Sequence, residues 1–426
     1  MEPHAPTRPA TVLPPGTVPG IAAVPRAARS RLSSVDLLRG IVMVIMLLDH
    51  TRDFIHADIV RYDATDLTQT SPAVFFSRWI THFCAPIFVF LAGTGAYLQL
   101  SRGKSVSDLS RFLWTRGVWL IVLEFTAVRL GLTFNFGYAQ FLGAAQVIWA
   151  LGVSMIVLAA LIRLPVRWVG AFGVAVIALH NLLDGISIPP WRGPGTPAPD
   201  LWQSLFMILH QPGPIPINGG LPVLFIMYPL LPWIGVMAAG YAFGTVYDWD
   251  AERRRRFLVR LGAAMLVAFV ALRAGNFYGD PRPWSVQRDA VFSVLSFVNV
   301  TKYPVSLLFL LMTLGTAMLA LAAFERARAD GVAKPLITFG RVPLFYYLLQ
   351  WPVSHGMGLL LSMAAGKNTA FYFAGPGPGA APDPNFGFSL PVVYACWIAG
   401  VILLYPLCAW FAALKQRRRD WWLSYL

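Results

Sequence analysis

The sequence predicts an all-α integral membrane protein, a polytopic bundle of about ten transmembrane helices joined by long Gly/Pro-rich outer loops. Three observations carry that reading. Of 426 residues, 57% are hydrophobic and 13% charged, against roughly 45–50% and about 25% in soluble domains, which excludes a water-soluble enzyme fold. Apolar stretches of roughly 20 residues, enough to cross about 30 Å of hydrocarbon, recur along the chain. The cations concentrate in alternate connections, as the retention of Lys and Arg on the cytoplasmic face requires. Wholesale disorder is excluded by 29 Phe, 15 Trp and 14 Tyr.

Residues 1–33 are rich in Pro, Ala and Arg and lack the apolar core of a cleaved signal peptide, so they read as a disordered cytoplasmic tail. Residues 34–414 form the transmembrane domain, with spans expected near 36–55, 77–100, 112–132, 140–162, 168–183, 221–247, 257–275, 304–324, 336–364 and 389–414. Residues 415–426 are a basic cytoplasmic tail. With the N-terminus inside, 24 of the 34 Lys and Arg fall on the inner face and ten on the outer half, so both termini are expected in the cytoplasm. The net charge of +14 then serves orientation, implying the lipid bilayer as partner and no nucleic acid. The runs Arg253 to Arg256 and Arg417 to Arg419 belong to the same topogenic charge. Cys84, Cys396 and Cys408 lie in apolar runs without CxxC spacing, so neither a disulfide framework nor a metal site is expected.

Three outer connections, 184–221, 274–303 and 365–388, are dense in Gly, Pro, Trp and Asn, which is turn chemistry. Connections this long in a compact protein are usually functional or disordered. Trp191, Trp202, Tyr278 and Trp284 within them suggest folded loops capping an outward-facing cavity, or aromatic anchors at the interface.

The first span, RLSSVDLLRGIVMVIMLLDHTRDFIH, is the most informative stretch. Ionisable residues inside a span are costly and mark functional sites by default. Asp36 and Arg39 stand three apart at its start and share a helix face. His50 follows Arg39 by eleven residues, very nearly three turns, so both side chains project along one face about 16 Å apart. A guanidinium suits phosphate groups, and an imidazole suits proton abstraction. Asp49 points about 100° away from His50 on an ideal helix; Asp53, three residues on, is the better-placed orienting partner.

Further polar residues accompany this helix. His82 precedes Pro86 in the second span, where a proline opens the helix turn. Glu124, Arg129, Gln140 and Gln146 fall at membrane depth, where pairing within the bundle is the usual role. In NFYGDPRPW, Asn276, Asp280 and Trp284 form a set that binds sugar through carboxylate, amide and ring face, while Gly279 and Pro281 equally suit a turn. Lys302 begins the eighth span, either stabilising an anionic group or snorkelling. His355 lies about 140° round a helix from Gln350. His4, His180 and His210 receive no role.

The pattern D-x-x-R-G with R-x(10)-H spacing from Arg39 to His50 resembles the first helix of the transmembrane acyltransferase superfamily. The likeness is closest to bacterial proteins of its heparan-α-glucosaminide N-acetyltransferase-like branch. It runs from about Ser33 to Tyr347 through SVDLLRGIVMVIMLLDHTRD, RWITHFCAPIFVFLAGTGAYL, YPLLPWIGVMAAGYAFG, NFYGDPRPW, VNVTKYPVSLLFLLMTLG and FGRVPLFYYLLQ. The resemblance implies a bacterial inner-membrane enzyme that moves an acyl group, typically acetyl from cytoplasmic acetyl-CoA, to a hydroxyl or amine of an extracytoplasmic sugar acceptor. Arg39, with Asp36, would meet the CoA phosphates, and His50 would serve as base, by direct transfer or through an acyl-histidine. In the human-type branch the credited histidine lies in the loop after this helix, so His82 and then His56 follow His50 as candidates. Relatives often carry histidine where this chain has Gln350. A second copy of the chain is a further partner to consider. A secondary transporter is the competing class, but the two matching halves it should show are absent from the sequence.

Overall fold

A computed structural model describes residues 33–426 apart from 218, 328–329, 375–384 and 419. Nearly all of the expected N-terminal tail, Arg328, Arg419 and the centre of the 365–388 connection therefore lie outside the described residues.

The chain is mostly helical around one central rod. Helix α1 (Ser33–Ile55) buries residues on every face, because it contacts α2 (Pro72–Trp79), α3 (Cys84–Ser101), α12 (Leu307–Phe324), α13 (Ala333–Arg341), α14 (Pro343–Ala364) and α16 (Leu390–Arg417). A 3₁₀ turn over Ile80–Phe83 joins α2 to α3 in one rod, and Ser71 caps its start by accepting from Val74 N–H. Helix α4 (Val106–Leu123) continues through a π-turn, Glu124–Val128, into α5 (Arg129–Thr133). Such single π-turns re-aim the side chains that follow.

The expected spans 140–162 and 221–247 begin as strands, a correction to the all-α reading. Strand β1 (Phe141–Ala145) pairs in parallel with β3 (Gly220–Ile226), which pairs antiparallel with β2 (Gly213–Ile217). Pro214, Pro216 and Pro222 deny this segment a helical ladder, and five- to seven-residue apolar runs fit strand or helix equally by periodicity. Helix proper starts at α6 (Val147–Leu161) and, after Pro229, at α9 (Leu230–Phe243).

The expected span 336–364 is broken as well. Val342 leaves helical geometry at φ −130°, ψ 48°, and Pro343 opens α14 at the position where its missing N–H costs nothing. The break lets α13 lie directly on α1. A Cβ on Gly40 would sit 1.8 Å from the Leu336 carbonyl oxygen, and one on Gly340 would sit 1.8 Å from that of Asp36.

Among the described residues, six helices are long and apolar enough to cross a membrane. The α2–α3 rod, α9 with its 3₁₀ extension to Asp248, and α12 are largely interior; α7 (Val166–Leu179, extended to Leu183), α10 (Ala251–Gly275) and α16 are peripheral. The connections hold short helices α8 (Leu201–Leu209), α11 (Ala290–Val298) and α15 (Phe371–Ala374). Asp200 and Asp289 cap the first two.

Candidate functional site

The C-terminal end of α1 places Asp49, His50, Arg52 and Asp53 within little more than one turn, and burial forces their charges to find partners. Arg52 Nη2 donates to Asp49 at 2.8 Å and to Asp53 at 2.7 Å. From α2, Arg78 Nη1 reaches both oxygens of Asp49, at 2.7 and 2.5 Å, and its Nη2 stands 3.5 Å from the Tyr303 hydroxyl. Tyr303 packs edge-on against Tyr228, ring centroids 5.4 Å apart. Lys302 acts electrostatically on Asp49, His50 and His82. It is almost wholly buried and has no carboxylate within ion-pair distance among the described residues.

His50 sits inside this cage with its Nδ1 buried and without a partner. Asp53 is engaged by Arg52, so the expected Asp53–His50 orienting pair does not form. The imidazole instead lies 3.8 Å, centroid to centroid, from the indole of Trp351 on α14, tilted 39°. The hydroxyl of Tyr347, one turn back on α14, is also buried and unpartnered, as is the Trp351 indole N–H. The hydroxyl lies beside the indole without closing a bond of normal geometry, and within electrostatic reach of Glu124 and Tyr303. Glu124, at the π-turn, accepts from Trp149 N–H at 2.8 Å with one oxygen and leaves the other unpartnered. Trp351 and Arg78 went unremarked in sequence; nothing in local spacing links either to His50.

A cavity of about 450 Å³ adjoins this network, lined by Arg52, Asp53, Ile59, Arg61, Tyr62, Asp63, Ala64 and Arg78. Its charged walls suit a polar occupant.

The other histidines divide. His82 is buried with Nδ1 unpartnered, its ring 5.3 Å from that of Phe309, and shares the Lys302, Arg78 and Asp49 field with His50. His56 caps the short turn Ala57–Val60, its Nδ1 accepting from Asp58 N–H at 3.3 Å, and burial pushes its imidazole below the ordinary value. His355 is sandwiched between Phe54 and Phe134, with Nδ1 2.9 Å from the Gly131 carbonyl oxygen. His180 and His210 meet at 5.7 Å, and His210 Nε2 lies 3.0 Å from Asp184. Among the described residues no group of three or more His, Cys, Asp and Glu could hold a metal.

The polar groups of the expected sugar-binding set are engaged by neighbouring residues. Asp280 accepts from Arg282 N–H, Thr301 N–H, the Thr301 hydroxyl and the Ser306 hydroxyl at 2.8–2.9 Å, with Arg273 at 3.8 Å. Asn276 clasps the backbone of Trp284 through two 3.0 Å bonds. These ties fix the Thr301–Ser306 segment and thereby Lys302 and Tyr303. Arg129 likewise bonds the carbonyls of Asn135, Gly137 and Phe141, and Gln350 is fully buried with both amide atoms unpartnered.

At the N-terminal end of α1, Asp36 stands 4.0 Å from both Arg39 and Arg341. Arg39 Nη2 donates to the Leu91 carbonyl at 2.8 Å, and Arg116 lies within its electrostatic reach.

Fold and site together define a polytopic membrane protein with a buried histidine, its Nδ1 unpartnered, at one end of its central helix and a cationic cluster at the other. Residues 31–278, more than half of the chain, match the family described as heparan-alpha-glucosaminide N-acetyltransferase, catalytic, and the chain belongs to that family. The matched region holds Asp36, Arg39, His50, Arg78 and His82; Lys302, Tyr303, Tyr347 and Trp351 lie beyond it. Among curated proteins none matches the chain.

Proposed function

We propose that the protein is a membrane acyltransferase that moves an acetyl group from cytoplasmic acetyl-CoA to a hydroxyl or amine of a sugar on the opposite side of a bacterial inner membrane. The single observation that carries this reading is the buried, unpartnered Nδ1 of His50 on the same end of α1 as Arg52 and Asp53, which wall a 450 Å³ polar cavity. Arg39 stands eleven residues away along the same helix. In this reading α1 is one of about ten spans, both termini are cytoplasmic, and Arg39, Arg116 and Arg341 offer guanidinium groups to the CoA phosphates. The pantetheine arm then runs along α1 and brings the thioester to His50, while the acceptor enters the cavity walled by Arg52, Arg61, Asp63 and Arg78.

His50 takes the proton of the attacking hydroxyl or amine, the acceptor oxygen or nitrogen bonds to the carbonyl carbon, the C–S bond breaks, and the proton passes to the departing sulfur. The Asp49–Arg52–Arg78 network holds the walls and fixes α1 against α2. Family membership supports the acetyltransfer, and the cage of fixed charge supports the base. The test uses purified full-length protein in lipid nanodiscs with radiolabelled acetyl-CoA and a glucosaminide acceptor. Wild type should form labelled sugar and free CoA in equal amounts; protein that forms neither, under conditions where it remains folded, overturns the reading.

A further inference from the structure

Acyl transfer places negative charge on the carbonyl oxygen, and donors aimed at that charge are usually the largest single contribution to catalysis. The donors around His50 are few. Arg78 is taken up by Asp49 and Tyr303, and Arg52 gives Nη2 to Asp49 and Asp53, its Nε and Nη1 being buried without a partner. The Trp351 indole N–H is also buried and unpartnered but lies against the His50 ring itself, and the Tyr347 hydroxyl is buried and unpartnered beside the indole. Buried donors are almost always bonded, so two adjacent idle ones next to a candidate base point to an acceptor atom that arrives with the substrate.

We propose that the Trp351 indole N–H and the Tyr347 hydroxyl are the donors that receive the thioester carbonyl oxygen as it becomes an oxyanion; this rests on the acyltransfer reading above. Both sit on α14, so one rigid element sets the distance between them. Trp351 has a second duty, since its ring face fixes the imidazole plane that no carboxylate orients. The step is balanced: the acceptor proton moves to His50, the new bond forms at the carbonyl carbon, and the carbonyl oxygen takes up charge against the two donors. The carbonyl then re-forms as the C–S bond breaks, and the sulfur recovers the proton from His50. Lys302 is a rival donor, a buried ammonium whose field reaches His50.

The experiment compares Trp351→Phe, Tyr347→Phe and Lys302→Gln in full-length protein in nanodiscs. Phenylalanine keeps an aromatic ring to face His50, removes the N–H and trims the bicyclic indole to one ring. Trp351→Phe should lower kcat about 10²–10³-fold with the KM for acetyl-CoA unchanged, and Tyr347→Phe about tenfold. A second readout is independent of turnover: the carbonyl stretch of bound acetyl-dethia-CoA, an inert ketone analogue, should shift to lower frequency in wild type and return towards its aqueous value in Trp351→Phe. A Trp351→Phe enzyme within twofold of wild-type kcat, a loss that falls wholly on KM, or an identical carbonyl stretch in the two proteins overturns the assignment, as does a loss confined to Lys302→Gln. Wild type that turns over acetyl-CoA while these variants match it rejects only this inference; wild type that turns over none rejects the acyltransfer reading and this inference together.

Discussion

The two ends of α1 carry the same local device and use it differently. Asp36–Arg39 and Asp49–Arg52 are both acid–base pairs three residues apart, so each shares a helix face. At the N-terminal end the pair is loose, 4.0 Å, with Arg341 at the same distance from the carboxylate and Arg39 bonded elsewhere, to the Leu91 carbonyl. At the C-terminal end the contact is 2.8 Å, and Arg78 from α2 closes on both carboxylate oxygens. The difference teaches that local spacing creates an ion pair, whereas its rigidity comes from what a second element adds. A loose cationic end suits a charged group that arrives and leaves; a tight end suits a base whose surroundings must not move.

The largest expected effect breaks the tight end at its chemistry. His50→Gln should lower acetyl transfer about 10²–10⁴-fold, the usual contribution of a positioned general base, with acetyl-CoA binding intact in an equilibrium binding assay. If His82→Gln instead abolishes transfer while His50→Gln retains it, the base belongs to α3 and its preceding turn. Next in size, Asp49→Asn leaves Arg52 and Arg78 without their shared carboxylate in a buried setting, which costs about 3–5 kcal/mol; thermal unfolding in detergent should fall well below that of Asp36→Asn. Equal losses for the two variants would erase the distinction between the ends.

Smaller effects probe the loose end. Gly340→Ala forces a Cβ to within 1.8 Å of the Asp36 carbonyl oxygen, so α13 must move off α1, and the unfolding temperature should drop while Ala substitution at the open Gly356 leaves it unchanged. Arg39→Ala should raise the KM for acetyl-CoA roughly tenfold with kcat little altered, the signature of uniform binding, and Arg39→Lys should recover part of it. The smallest concerns His56. Burial lowers its folded-state value, so the folded protein binds this proton less readily than the unfolded chain, and stability is lost as pH falls below about 6.5. His56→Gln should flatten that acid limb slightly and leave transfer at neutral pH unchanged; loss of transfer would return His56 to the catalytic candidates.

How much was legible can be judged residue by residue. Arg39 and His50 share one helix, and helical spacing relates residues on a single element, so their relation was readable from the sequence. Trp351 packs against His50 from just over 300 positions away, and no periodicity spans that gap. Asp280 and Asn276 were legible as loop residues, but that their carboxylate and amide groups close on Thr301, Ser306 and Trp284 was not. Glu124 was visible as a polar residue at depth, but its place on the N-terminus of α6 depends on a π-turn that composition does not announce.

By itself the sequence determined the membrane setting, since hydrocarbon admits only long apolar elements with satisfied backbones, and the spacing along α1, since a helix converts residue number into direction. Only the tertiary structure decided that 141–145 and 220–226 pair as strands, that Val342 divides one expected span in two, that Trp351 meets His50 with Tyr347 beside it, and that Arg78 joins Asp49 and Tyr303. The reason is physical: propensity and periodicity act within a few turns, whereas long-range partners are selected by close packing and by the demand that buried charge be paired.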